Sequence, residues 1–311
     1  DVNLLFKKLK ELISSENSNK AVSISNNIWA NQRFEFKPST FEPNQKILGI
    51  PIEKVGFPQP ACEKINSEVY KSTKGKISNL ISPSDLSEDS AIVLTNAIYF
   101  KSDWEKKFSI SPDSKIQKIQ NFTLVDGTKI HINMLESKDR NLPYAEDDKF
   151  QIVSIPYTGK KYDFVIILPK NQSHEGYNDL KNLTYQRLND ELISKLRVQK
   201  VNVRLPKFSF ETKSQLKGIF QELGMKKAFQ GDAQCTDPVV KYFVSSIIQK
   251  AKIILDENGT EAAAATAMVV NCLSLDMGPP TPSINANHPF AYLLRNSKSG
   301  AILFEGFVKD P

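Results

Sequence analysis

Three histidines, His131, His174 and His288, are the whole supply of imidazole in 311 residues. A nucleophilic hydrolase needs a base beside its nucleophile, often on a signature such as GxSxG. None of the three histidines carries one. His131 sits in the strand-like KIHINML and reads as an ordinary, partly buried residue. His174 lies in a polar loop, and His288 precedes a proline. The chain has no GxxxxGK[ST] loop and no GxGxxG after a strand. It has no spaced His/Cys cluster for a metal. Its carboxylates are scattered, as a surface that is part of a 24% charged chain would have them. These residues predict no enzyme, no metal and no cofactor. Cys62, Cys235 and Cys272 are odd in number, far apart and without a CxxC spacing. They form no disulfide framework, which fits a reducing compartment or a secreted protein that uses no disulfides.

The unusual chemistry lies in residues 257–270, ENGTEAAAATAMVV. Alanine favours helix, but an isolated helix this short is marginal in water. Gly259 permits a sharp bend, and Val269 and Val270 favour strand. Read as a strand, one face holds Thr260, Ala262, Ala264, Thr266 and Met268, with no charge and nothing bulky before Met268. Glu261 falls on the opposite face, toward water. Such a strip fits between existing strands without overpacking a core. A flexible surface loop is the plain alternative that composition leaves open.

Elements that position this segment follow from periodicity. Residues 1–17 have Leu4, Leu5, Leu9, Leu12 and Ile13 on one helical face with lysines opposite. Strands are expected over 21–29, from 90 into a long central run, over 162–169, 201–213, 242–259, 288–296 and 301–308. A series of short strands is expected over 122–170, with turns at Asp126-Gly127 and Thr158-Gly159. Helices are expected over 61–81, in two stretches around 177–196, and over 214–229. The class is α+β, with one large sheet and smaller ones. Hydrophobic residues make up 40% of the chain and the formal charge is +6. The cluster Lys7, Lys8 and Lys10 reads first as a solvated face and second as a polyanion contact. No membrane span is visible, and nothing points to nucleic acid.

Several of these stretches resemble one family in the same order. ENGTEAAAATA, HPFAYLLRN and AILFEGFV resemble the reactive-centre region and C-terminus of the serpins, the serine protease inhibitors. LTNAIYFKSDWEKKF, IPYTGKKYDFVIILP, VRLPKFSFETK and LKGIFQELGM resemble further serpin segments. The resemblance runs from near residue 1 to the last residue, and it is to an ovalbumin-type or antichymotrypsin-like inhibitory member, with the NHPF and FVKDP ends looking like the ovalbumin-type clade. It implies a single domain over 1–311 with the serpin fold: a large central mixed sheet, two smaller sheets, surrounding helices and an exposed reactive-centre loop at 257–283. It also implies a suicide mechanism. A protease cleaves the loop and becomes an acyl-enzyme, and the freed loop then inserts as a strand between the strands at 90–101 and 242–256. No cofactor is implied, and the expected state is a monomer.

Carried over residue by residue, the resemblance makes Glu257, Gly259, Thr260, Glu261, Ala262, Ala263, Ala264 and Ala265 the hinge. Thr260 must be uncharged because it is buried early in insertion. Trp104 matches the tryptophan where insertion begins, and Lys207 and Glu257 match an ion pair in that region. Asn96 matches the asparagine that helps control opening of the sheet. Gln249 stands where many relatives have histidine, so this position does not titrate. Loop length puts the reactive bond at Leu273–Ser274, which suits a chymotrypsin-like protease such as cathepsin G. Cys272–Leu273 and a bond near Met277 are alternatives. Cys272 is also open to oxidation.

The family's helices before the one at 1–17 have no counterpart in this sequence. The resemblance leaves a non-inhibitory carrier, chaperone or storage serpin as the rival reading, against which the hinge sequence speaks, and an inhibitor of cysteine proteases as a third. The first helix resembles the family's heparin-binding helix. Sequons occur at Asn121, Asn171, Asn182 and Asn258. The compartment is cytoplasmic, or extracellular without a visible signal peptide.

Overall fold

The structure, a computed structural model, describes Glu11 and residues 21–36, 49–50, 52–108, 119–230, 243–260 and 280–311. Packing divides the chain into two compact units, Asp1–Lys101 with Phe210–Ile253, and Ser102–Ser209 with Ile254–Pro311. The helix expected at 1–17 lies outside the described residues apart from Glu11.

The first unit carries a five-stranded mixed sheet. Its order is β10 (Phe208–Gln215), β11 (Val244–Leu255), β3 (Ile92–Phe100), β1 (Val22–Asn31) and β2 (Ile52–Val55). The apolar run IVLTNAIYF becomes β3, a central strand, as expected. It pairs antiparallel with β1 and parallel with β11. The β3–β11 ladder is direct from Ile92 to Tyr99, so no strand lies between them over that stretch.

Helix α1 (Gln59–Ser72) packs on one face of this sheet. Ile65 and Val69 of α1 share a core with Trp29, Val93, Ala97 and Ile248. The apolar spacing predicted helix to residue 81, but α1 stops at Thr73. Lys74 (φ 55°) and Gly75 (φ 78°) take left-handed backbone, which ends a helix. The Thr73 hydroxyl donates to Val69 O at 2.7 Å, and Ile77 N donates to Thr73 Oγ1 at 3.1 Å. Ile77, Leu80 and Ile81 keep the apolar periodicity because the returning chain packs them into the same core.

The second unit carries an eight-stranded sheet with the path β13 (Ser283–Asn285), β9 (Arg197–Pro206), β6 (Lys129–Glu146), β7 (Phe150–Pro156), β8 (Tyr162–Pro169), β14 (Phe290–Asn296) and β15 (Ile302–Val308), with β5 (Ile119–Thr123) on β6. Every residue of β8 is buried. The Asp126-Gly127 turn joins β5 to β6, with Gly127 at φ 86°. Where short strands were expected, β6 runs for 18 residues. A bulge between Ser137 and Arg140 interrupts its ladder with β9, which continues on both sides of it, while β7 pairs only with Tyr144, Ala145 and Glu146 at its end. The alternation over 201–213 predicts one strand. It divides at Lys207 into β9 and β10, after Pro206, which has no N–H to offer a ladder. Helices α2 (His174–Lys181) and α3 (Lys217–Glu222) are short. The helix expected to reach 229 ends at Leu223, before Gly224 at φ 100°. Strand β13, in the Pro-rich stretch, was not expected.

Candidate functional site

The residues after β11 fold into a tight turn. Asp256 Oδ1 accepts hydrogen bonds from Asn258 N at 2.8 Å and Gly259 N at 3.1 Å. Gly259 and Thr260 then form the two-residue strand β12. It pairs antiparallel with β4 (Ser102–Asp103), which follows β3 in the chain, with Gly259 opposite Asp103 and Thr260 opposite Ser102. Glycine is required at 259 by close approach. A Cβ there would lie 2.2 Å from Ser102 O and 2.5 Å from the Asp103 Cα.

Trp104 holds this turn by its backbone and its ring. Its N–H donates to Asn258 O at 2.8 Å, and its Nε1 donates to Asp256 O at 2.9 Å. The indole stacks on Tyr157, with centroids 4.4 Å apart and planes 13° apart. It meets the edges of Phe108 and Phe164. Thr260 is fully buried, and its Oγ1 lies 2.8 Å from the Tyr157 hydroxyl. Burial pushes the Tyr157 hydroxyl far above its ordinary pKa, so it stays protonated.

Lys207, at the break between β9 and β10, forms an ion pair with Glu257. Burial favours the neutral form of Glu257, but the Lys207 ammonium and the residue's own backbone N–H together outweigh it and hold the carboxyl below its usual range. The Glu257 carbonyl accepts from Phe108 N at 2.9 Å. Trp104, Lys207, Glu257, Gly259 and Thr260 are thus brought together in one unit.

Asn96 and Gln249 meet in the other unit. Residues Asn26, Asn96 and Gln249 stand directly opposite one another on β1, β3 and β11. Gln249 Nε2 donates to Asn96 Oδ1 at 2.8 Å, and Asn96 Nδ2 donates to Asn26 Oδ1 at 2.7 Å. This amide row crosses the seam between β3 and β11 and carries no titrating group. Neither Asn26 nor Tyr157 was singled out from the sequence. Each sits inside a quoted strand stretch, and neither has a spacing that marks a tertiary partner.

Glu261, Ala262 to Ala265, Leu273 and Ser274 lie outside the described residues, as do Cys235, Cys272 and Met277. Cys62 is a buried free thiol on α1. The histidines form no constellation. His131 is exposed on β6, where a partly buried side chain was expected. His174 begins α2, where a loop was expected. His288 is 3% exposed, and its Nε2 donates to Pro169 O at 2.7 Å. Among the described residues, no group of three or more His, Cys, Asp or Glu could hold a metal, and no helix is long and apolar enough to cross a membrane.

A family model described as Serpin (serine protease inhibitor) matches residues 1–311. The leukocyte elastase inhibitor of the horse, Equus caballus, is 31% identical over 322 residues, covering 100% of this chain and 83% of that protein. The native structure of the thermophilic serpin Tengpin superposes with a TM-score of 0.84 at 25% identity, covering 100% of this chain and 79% of that one. Native protease nexin-1 with heparin gives 0.82 at 26% identity, covering 100% and 82%. Matched along its whole length by the family model, and by an inhibitor of the same family, the chain belongs to the serpins.

Proposed function

We propose that this chain inhibits a chymotrypsin-like serine protease by acting as a suicide substrate. The observation that carries the reading is Thr260. The first residue of the small, uncharged strip is already buried, paired to the residues that follow β3, and held by a hydroxyl contact. A charged or bulky residue could not occupy that place without loss. On the face that Thr260 begins, Ala262, Ala264 and Thr266 have side chains small enough to enter a sheet, and Glu261 falls on the other face.

The protease serine would attack the carbonyl of Leu273. The peptide bond to Ser274 breaks, the proton goes to the departing amine, and Leu273 is left as an ester on the enzyme. Strands β13, β14 and β15 keep the C-terminal piece in the eight-stranded sheet. The N-terminal side of the cut is then free to enter between β3 and β11, which are paired directly before cleavage. Loop entry outruns hydrolysis of the ester, and the distorted enzyme stays bound.

The test is to mix the chain with chymotrypsin or cathepsin G, run a denaturing gel and weigh the C-terminal peptide. A gel-stable complex with a peptide beginning at Ser274 is the expected result. A peptide beginning at Leu273 or near Met277 moves the bond. Cleavage without complex, for every serine and cysteine protease tried, favours a carrier or chaperone. Heparin in the same assay tests the polyanion reading, which rests on Lys7, Lys8 and Lys10. A rate unchanged by heparin and by salt removes it.

A further inference from the structure

We infer that Tyr157 is a positioning residue for inhibition: its hydroxyl docks Thr260, so that loop entry starts from a strand end already in place. This inference rests on the suicide-substrate reading above.

Thr260 is 0% exposed, so its hydroxyl has left water and needs a partner. The Tyr157 hydroxyl supplies one at 2.8 Å, across 103 residues of sequence. Tyr157 itself has little freedom. It is fully buried, its ring is stacked on Trp104, and its backbone bridges Trp104 and donates to Tyr162 O at 3.0 Å. Trp104 in turn holds Asp256 and Asn258, on the near side of the hinge. One rigid aromatic pair therefore fixes the chain before Gly259 through the indole, and Thr260 through the phenol.

The consequence is kinetic. An acyl-enzyme partitions between loop entry, which traps the protease, and hydrolysis, which releases it. With Thr260 docked, entry only has to propagate. With Thr260 undocked, entry must first seat that side chain against Tyr157, and hydrolysis gains. Losing one hydroxyl takes from the other, in a buried site, the bond that joins the pair, whereas losing both leaves two apolar groups of nearly the same shape.

The experiment is a double-mutant cycle with Tyr157→Phe, Thr260→Val and the pair together, read as the stoichiometry of inhibition with whichever serine protease complexes the unaltered chain. Melting temperature is recorded for each variant. Either single change should slow entry about five-fold or more, the factor equivalent to roughly 1 kcal/mol. The stoichiometry should rise accordingly, and the pair should return it toward the unaltered value. Rescue of stoichiometry by the second mutation separates docking from a structural role, which would lower melting in all three without rescue. Single variants that inhibit like the unaltered chain overturn the inference, and so does a pair that is as poor as its singles combined. Should Tyr157→Phe fail to fold, Thr260→Val alone decides, since it is isosteric. If the unaltered chain complexes no protease, the suicide-substrate reading fails and this inference falls with it. A working inhibitor indifferent to these changes sinks only the inference.

Discussion

Arg140 is a charged residue placed where charge is costly. It lies on β6 at the bulge, 6% exposed, with its guanidinium 5.1 Å from the centroid of the Phe108 ring. Its Nε and Nη1 are buried without a hydrogen-bond partner. Burial pulls its pKa down to about 10, with Glu105 pulling the other way, so the group stays charged at neutral pH. The Glu105 carboxylate is itself bonded to Lys160 at 2.9 Å. A buried charge with incomplete partners costs several kcal/mol, and well-packed apolar replacements often stabilise by about 1–4 kcal/mol. Arg140→Met should therefore raise the melting temperature in calorimetry, the lost ring contact offsetting part of the gain. Arg140→Lys should lower it, because a point charge reaches the same place with less delocalisation. A lower melting temperature for the methionine variant would mean that the guanidinium is compensated after all.

At the scale of elements, the seam between β3 and β11 decides how easily a strand could enter. Their backbone ladder is direct, and Gln249 to Asn96 is a side-chain bond across it. A net hydrogen bond contributes about 0.5–1.5 kcal/mol. Gln249→Ala should therefore speed spontaneous loss of inhibitory activity during warm incubation by about two- to ten-fold. The time course of residual activity measures it, and an unchanged half-life would place the resistance to opening elsewhere. Because the row is all amide, its contribution should not vary with pH. The strands on either side of this seam were legible. The apolar run IVLTNAIYF marks a largely buried strand, and the Val and Ile residues of VSSIIQKAKIIL mark a mostly half-buried one, without help from tertiary context. The end of α1 was not, because Ile77, Leu80 and Ile81 fill the same core from irregular chain and preserve the helical spacing. Nor was the division at Lys207, where alternation carries on across a change of sheet. The candidate site divides the same way. Trp104, Lys207 and Glu257 came from a family pattern and are found together. Tyr157 is one of nine tyrosines and meets its partner 103 residues away, a contact that no local spacing encodes.

Across the whole molecule, the proposed mechanism requires that the uncut chain not be its most stable form. Before cleavage, β3 and β11 satisfy each other directly. Afterwards, a strand between them would add a second ladder and bury the small side chains of the strip. About ten added backbone hydrogen bonds, at roughly 1 kcal/mol net each, amount to about 10 kcal/mol. For a chain of this size, each kcal/mol moves the midpoint by about 2–4 °C, so cleavage should raise it by about 20 °C or more. Cutting a loop in an ordinary protein does the opposite, since it frees chain entropy without adding contacts. Calorimetry on the chain before and after limited proteolysis of the loop therefore separates the two readings without a target protease. A large upward shift means that the uncut fold is held by a barrier and that the loop enters the sheet. Equal midpoints mean that the loop stays outside after the cut. A carrier or storage role would then account better for a hinge that is docked at Thr260 and does not enter the sheet after the cut.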